Sequence, residues 1–301
     1  QARAFYAYAG EVLRSARFKK SAQRLYDQII KTIALADRGY FSSASCGMSE
    51  VGGLIYSLSH YYRLSKKKKI LTALQTLLAI LPELIKKDRY FDVMSGVAGC
   101  LAVLTAVKPL LPQEFRIKEL QTRCVNHLLK YYSDPQRVPS FEMALMTHKP
   151  LLGFSHGVIG IAWALQTFAA RLHRPKITAW IKKAQRYENK VYRAHQNRWP
   201  DWRSRTPRYA ASWCHGTVGI GLAKLDCYQH YPQSVLLKHL QQASAFTQRH
   251  GFRRQDPRTV GGSRRHHHPA TARGRQLFGQ ADLGQARRIW WHVRQAAFGG
   301  H

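Results

Sequence analysis

Four times along the chain a glycine-rich turn opens onto a segment that is apolar almost all round: GGLIYSL from Gly52, GVAGCLAVL from Gly96, GFSHGVIGIAWAL from Gly153 and WCHGTVGIGLA from Trp213. A helix with no polar face has to be buried by its neighbours on every side. Between these segments lie others with apolar residues at helical spacing on one side only. They are Leu25, Ile29 and Ile33; Ile70, Leu74, Leu77, Leu78 and Leu81; Ile117, Leu120, Cys124, Leu128 and Tyr131; and Ile177, Ile181, Ala184 and Val191. Such striped helices cover a core and do not lie inside it. The alternation predicts an all-α fold, an α/α toroid with inner helices ringed by outer ones. Pro112, Gln113 and Glu114 read as a helix start, because proline suits the first turn and an acid suits the positive helix end.

The glycines allow two readings. They could leave backbone amides pointing into the mouth of the toroid for a ligand to meet, or they could serve only to let helices cross closely. With 301 residues, 45% of them hydrophobic, a sizeable core is available either way. The longest apolar stretch, Ile70 to Leu81, is interrupted by Thr72, Gln75 and Thr76 and falls short of the roughly 20 residues a bilayer span needs. No membrane span is expected. The start QARAFYAYAGEVLRSARFKK has no apolar signal core, which makes cytoplasmic the default compartment, and the absence of Met there suggests a beginning inside a longer protein.

The formal net charge of +32 would concentrate any polyanion near the surface. Only Lys66 to Lys69 forms a compact basic run, however, and the other positive residues are spread over many segments. A solvated basic surface accounts for that distribution, and no nucleic-acid-binding motif accompanies it, so no specific nucleic-acid partner is expected. The five cysteines, Cys46, Cys100, Cys124, Cys214 and Cys227, are scattered and odd in number, and read as free thiols.

Two of the four turns place a reactive side chain directly before a glycine: His156, and the pair Cys214 and His215. Cys100, Cys124 and Cys227 sit within apolar helical stretches and read as packed core residues. Cys214 differs, since a helix N-terminus favours thiolate, the form of cysteine that binds metals.

The motifs His156 to Ala162 (HGVIGIA) and Trp213 to Gly221 (WCHGTVGIG) resemble signature motifs of the lanthionine synthetase C-like cyclases. GYFSSASCGMSEVGGLIYSLSHYYRL from Gly39 and FDVMSGVAGCLAVL from Phe91 look like earlier inner helices of the same domain. The resemblance covers roughly residues 35–252 and favours the cyclase half of class II lanthipeptide synthetases, in which a dehydratase domain precedes the cyclase. It implies an α/α toroid holding Zn2+. It also implies an enzyme that closes thioether rings in a dehydrated precursor peptide with a leader, by Michael-type addition of Cys thiols to dehydroalanine or dehydrobutyrine. By the same resemblance Cys214 matches a zinc ligand, His156 the histidine proposed as acid or base, and Asp92 an aspartate ahead of the second glycine helix. His215 follows as a secondary candidate, either a substitute ligand or a pocket-lining residue. Asp92 read on its own could equally be a helix N-cap or an exposed loop carboxylate.

After Phe252 the pattern changes. Residues 251–301 hold ten arginines and neither lysine nor glutamate, whereas the first 250 residues hold 19 lysines, and no cysteine follows Cys227 to complete the metal site that the family implies. Residues 1–252 are therefore expected to form a partial toroid. Residues 253–301 are expected to be an aberrant basic tail, read either as translation in a shifted frame or as local damage around 253–276, since LFGQADLGQA from Leu277 echoes a family helix. His266, His267 and His268 are read as no native zinc site, because Arg264 and Arg265 beside them oppose a cation. A non-catalytic toroid that binds peptides or thiols is the alternative function.

Overall fold

The computed structural model describes residues 2–35, 40–137, 149–170, 174–192, 199–204, 206–230 and 233–250. The expected tail, the histidines within it and the proposed division after residue 252 lie outside or at the edge of that set. Ten α-helices run through the described residues: α1 (Ala2–Val12), α2 (Ala16–Leu35), α3 (Val51–Ser65), α4 (Lys68–Lys87), α5 (Val97–Val107), α6 (Ile117–Tyr131), α7 (Val158–Ala169), α8 (Pro175–Val191), α9 (Thr217–His230) and α10 (Ser234–His250). No strand occurs among them, only an isolated antiparallel bridge between Asp201 and Arg208. None of these helices is long and apolar enough to cross a membrane.

The helices fall into the two kinds that the sequence distinguishes. In α5 every residue from Val97 to Leu104 is buried, as is Val107, and α7 buries Val158, Ile159, Gly160, Ile161, Ala164, Leu165 and Ala169. These inner helices pack in series, α3 on α5, α5 on α7 and α7 on α9. Each has a one-striped partner outside it: α4 on α3, α6 on α5, α8 on α7 and α10 on α9. The result is the inner and outer layering of an α/α toroid. In α4 the buried stripe is Ile70, Ala73, Leu74, Leu77, Leu78, Leu81, Leu84 and Ile85, with the lysines on the far side. At about 25 cal/mol per Å2, such a stripe outweighs the modest propensity of an isolated helix.

Pro112 corrects one expectation. It precedes a short 3-10 turn, Gln113–Phe115, and α6 begins only at Ile117. Arg116, at φ 52°, interrupts the run with a left-handed residue that no helix can continue through.

The inner turns are joined to one another through their backbones. Gly47, Met48 and Ser49 donate N–H bonds to the carbonyls of Ser95, Val93 and Met94 at 3.2, 3.2 and 2.8 Å; Val93 and Met94 donate to Ser155 at 3.1 and 3.2 Å; and Ser155 donates to Cys214 at 3.0 Å. Each turn therefore hands its amides to the carbonyls of the next. The turns approach so closely that a Cβ on Gly47 would collide with the Met94 carbonyl and one on Gly153 with that of Cys214, and within its own turn a Cβ on Gly160 would strike the Phe154 carbonyl. Close packing of the backbone accounts for these glycines. The amides at the helix heads are also engaged within the chain, Val158 by the Leu151 carbonyl and Thr217 by the Ala210 carbonyl, at 2.8 and 3.0 Å.

Candidate functional site

The series of turns carries Asp92, His156 and the Cys214–His215 pair along one rim. Asp92 stands in the turn before α5 and is 2% exposed. Its Oδ1 accepts the amides of Ser95 and Gly96 at 2.7 and 3.1 Å, and its Oδ2 lies 2.7 Å from His156 Nδ1. Asp92 is not the helix N-cap, a position that Gly96 takes; one of its oxygens ties down the turn ahead of α5 and the other meets the histidine. The His156 side chain is one-third exposed, so one end of the imidazole is fixed against a buried carboxylate while the ring stays open to the rim.

Asp88, which sequence reasoning passed over, secures this turn. It accepts the amides of Tyr90, Phe91 and Val97 at 3.2, 3.1 and 3.2 Å, and its backbone carbonyl meets His127 Nε2 at 3.0 Å. Burial pushes its carboxyl up to about 6, and the three amides oppose that rise only in part. Asp88 also holds Phe91 at φ 60°, a left-handed value that is costly for a bulky residue and that aims the next residue, Asp92. The sequence offers only an acid four positions before Asp92, a signal that any acid ahead of a helix would share.

His215 stacks on His156 with ring centroids 5.4 Å apart and planes 18° from parallel. Burial and then the Arg203 charge push its imidazole down to about 4, against the opposing pull of Asp201, so it is neutral near pH 7. Its Nδ1 is buried with no hydrogen-bond partner among the described residues. Cys214 is exposed, and its carbonyl accepts the Ser155 amide one residue from His156. Gly153 makes that proximity possible, because a Cβ there would press on the Cys214 carbonyl and the His215 Cα. Trp213, also exposed, lies against Phe154 with centroids 5.3 Å apart and completes the local wall.

The other four cysteines are free and buried. Contact with Cys100 and burial push the Cys46 thiol well up, and burial lifts Cys227 to about 12, so these are protonated packing groups. The resemblance implies zinc, and Cys214 with His215 is the only motif among the described residues that invites it. The donor chemistry falls short, since no group of three or more His, Cys, Asp or Glu side chains among the described residues could hold a metal ion. A catalytic zinc usually takes three protein ligands and keeps one open position. The exposed Cys214 thiol and the partly buried His215 ring therefore do not by themselves make that site.

A family model described as lanthionine synthetase C-like protein matches residues 3–259, which extends the resemblance back through α1 and α2. A comparison with curated proteins gives no match. Among solved structures, one of nisin cyclase superposes over 82% of this chain and 68% of its own, with a TM-score of 0.61 and 17% sequence identity. At that identity the likeness concerns the fold, and it agrees with the inner and outer helices described above. With the family model spanning most of its length, the chain belongs to the lanthionine synthetase C-like family.

Proposed function

We propose that this chain is a lanthipeptide cyclase domain, closing thioether rings in a dehydrated precursor peptide by adding cysteine thiols to dehydroalanine or dehydrobutyrine. Family membership and the likeness to nisin cyclase support a cyclase in general. The observation that carries the reading is the 2.7 Å contact between His156 Nδ1 and the buried Asp92 carboxylate on the rim beside Cys214.

With Nδ1–H donating to Asp92, His156 Nε2 is left as a base. As the substrate sulfur bonds to the alkene β-carbon, the thiol proton passes to Nε2, and the π electron pair moves onto the α-carbon and its carbonyl. The imidazolium then returns the proton to the α-carbon. No atom is lost, and Asp92 serves by fixing the tautomer and balancing the imidazolium charge. Cys214 is the residue proposed to bind zinc, a metal that in such enzymes holds a thiol as thiolate. Since the described residues do not complete that site, the proton transfers rest on His156 and Asp92 alone.

In this reading the substrate carries a leader, a dehydratase domain precedes the cyclase, residues 1–252 form the domain, and the reaction is cytoplasmic. The alternative is a toroid that binds peptides or thiols without catalysis, favoured by the short set of metal donors. A kinetic comparison on a peptide with one cysteine and one dehydroalanine separates them. The cyclase reading expects His156→Ala and Asp92→Asn to lower the rate of ring closure by about 100-fold or more. A wild-type rate equal to spontaneous closure would leave only the binding reading.

A further inference from the structure

Where α4 ends and the Asp92 turn begins, cations and tyrosines gather on the surface. Lys86 and Lys87 close α4, Arg89 and Tyr90 follow, and Lys130 and Tyr131 close α6 beside them; all of these side chains are exposed. The Arg89 guanidinium lies over the Tyr131 ring at 5.6 Å from its centroid, and Lys130 Nζ lies over the same ring at 4.9 Å. Arg89 Nη1 also donates to the carbonyls of Asp88 and Lys86 at 2.8 and 3.4 Å, so the backbone holds the guanidinium as well as the ring does. His127 joins this cluster to the site. Its ring meets those of Tyr131 and Phe91 with centroids 4.8 and 5.6 Å apart, and its Nε2 meets the Asp88 carbonyl. Arg89 stands three residues before Asp92, so their Cα atoms are at most about 11 Å apart. Neither Lys86, Lys87, Arg89 nor Lys130 is in an ion pair with an acid side chain among the described residues. Positive charge that no acid neutralises, set in place by carbonyls and an aromatic ring, makes a prepared face for carboxylates.

We propose that this face binds an acidic segment of the substrate peptide, outside the ring being closed, and so holds the peptide beside the Asp92–His156 pair. The inference rests on the cyclase reading above. Carboxylates of the segment meet the open N–H groups of Arg89 and the ammonium groups of Lys86, Lys87 and Lys130, while Tyr131 keeps the two cations over it in place. Two comparisons set this face apart from the general positive charge. The basic run at Lys66 to Lys69 stands at the other end of α4, about 30 Å away along the helix, and there Lys69 is already paired with Asp27 at 2.7 Å. A nucleic acid, the other polyanion to consider, is held where basic groups alternate with open aromatic faces on which bases stack. Here the Tyr131 ring already carries Arg89, Lys130 and the His127 ring, an arrangement that suits carboxylates better than bases.

The test uses the whole chain and a pair of peptides, each with one cysteine and one dehydroalanine, one extended by a run of Asp and Glu and the other by the same run as Asn and Gln. Fluorescence anisotropy reads binding of labelled versions in which serine replaces dehydroalanine, so that nothing cyclises, and the rate of ring closure gives KM and kcat. Wild type should bind the acidic peptide at least about 10-fold more tightly than the neutral one at low salt. Arg89→Glu with Lys130→Glu should abolish that preference and raise KM for the acidic peptide about 10-fold, with kcat changed less than about 2-fold. Lys66→Glu with Lys68→Glu, the same change in net charge, should move binding and KM by less than about 3-fold. Circular dichroism checks the fold, and Arg89→Gln with Lys130→Gln carries the comparison if the charge reversal unfolds the chain. No preference in wild type, or equal loss in both charge-reversed pairs, overturns the proposal. So does single-stranded DNA of equal charge that displaces the labelled acidic peptide at lower concentration than the unlabelled peptide does. If wild type fails to accelerate ring closure but its preference depends on Arg89 and Lys130, the cyclase reading fails while the acidic-peptide surface stands.

Discussion

At the scale of single residues, Asp92 does two jobs that mutation can separate. Its Oδ1 closes the turn ahead of α5 through the amides of Ser95 and Gly96, and its Oδ2 faces His156. Asp92→Ala should therefore destabilise the protein by about 1 kcal/mol or more by leaving the Ser95 and Gly96 amides unpaired, in addition to removing activity. Asp92→Asn, which keeps an oxygen for those amides, should cost less in stability while still impairing catalysis; urea unfolding of the two variants beside rate measurements checks this. A second residue, His60, is titratable and buried, with the Tyr8 hydroxyl 2.6 Å from its Nδ1, and burial pushes its imidazole down to about 4. Because its folded value lies below the unfolded one, its contribution is present above about pH 6.5 and is lost as pH falls toward 4. His60→Phe should flatten the decline of stability over that window, as measured by denaturant midpoints at stepped pH. Asp88 acts in the opposite sense: with its carboxyl raised, its contribution is greatest below about pH 4 and is lost as pH rises through about 6.

At the scale of elements, packing dominates. Leu77 on α4 is fully buried, and Leu77→Ala should cost about 2–5 kcal/mol, read from the shift in the unfolding midpoint. Gly160→Ala should do more than weaken a helix, because its Cβ would press on the Phe154 carbonyl and displace the turn that carries His156; loss of both stability and activity is the expected outcome. The helices themselves were legible in the sequence, since all-apolar and one-striped segments leave different periodicities. His156, Cys214 and Asp92 were legible because each stands directly before, or close to, a glycine-headed helix. Asp88 and the cluster of Arg89, Lys130 and Tyr131 were not, for different reasons. Asp88 looks like any acid before a helix, and its three amide bonds exist only once the turn folds over it. Arg89 is one of 48 basic residues, and only its place over the Tyr131 ring sets it apart. The ion pair of Glu188 with Lys224 at 2.8 Å, with Trp199 donating to the same carboxylate, was equally silent, because its partners lie on α8, α9 and the segment between them.

At the scale of the whole molecule, the backbone bonds from turn to turn explain why residues 64 positions apart, Asp92 and His156, meet at hydrogen-bonding distance. The net charge of +32 should make capture of an acidic peptide weaken steeply with salt. The central claim is that this rim closes thioether rings. The most direct measurement is a mass-spectrometric count of alkylatable thiols in a dehydrated precursor after incubation with the chain and zinc, beside His156→Ala. Loss of thiols at unchanged peptide mass with wild type, and retention with the variant, is the result this account predicts. Equal thiol loss with wild type, variant and buffer alone would contradict it.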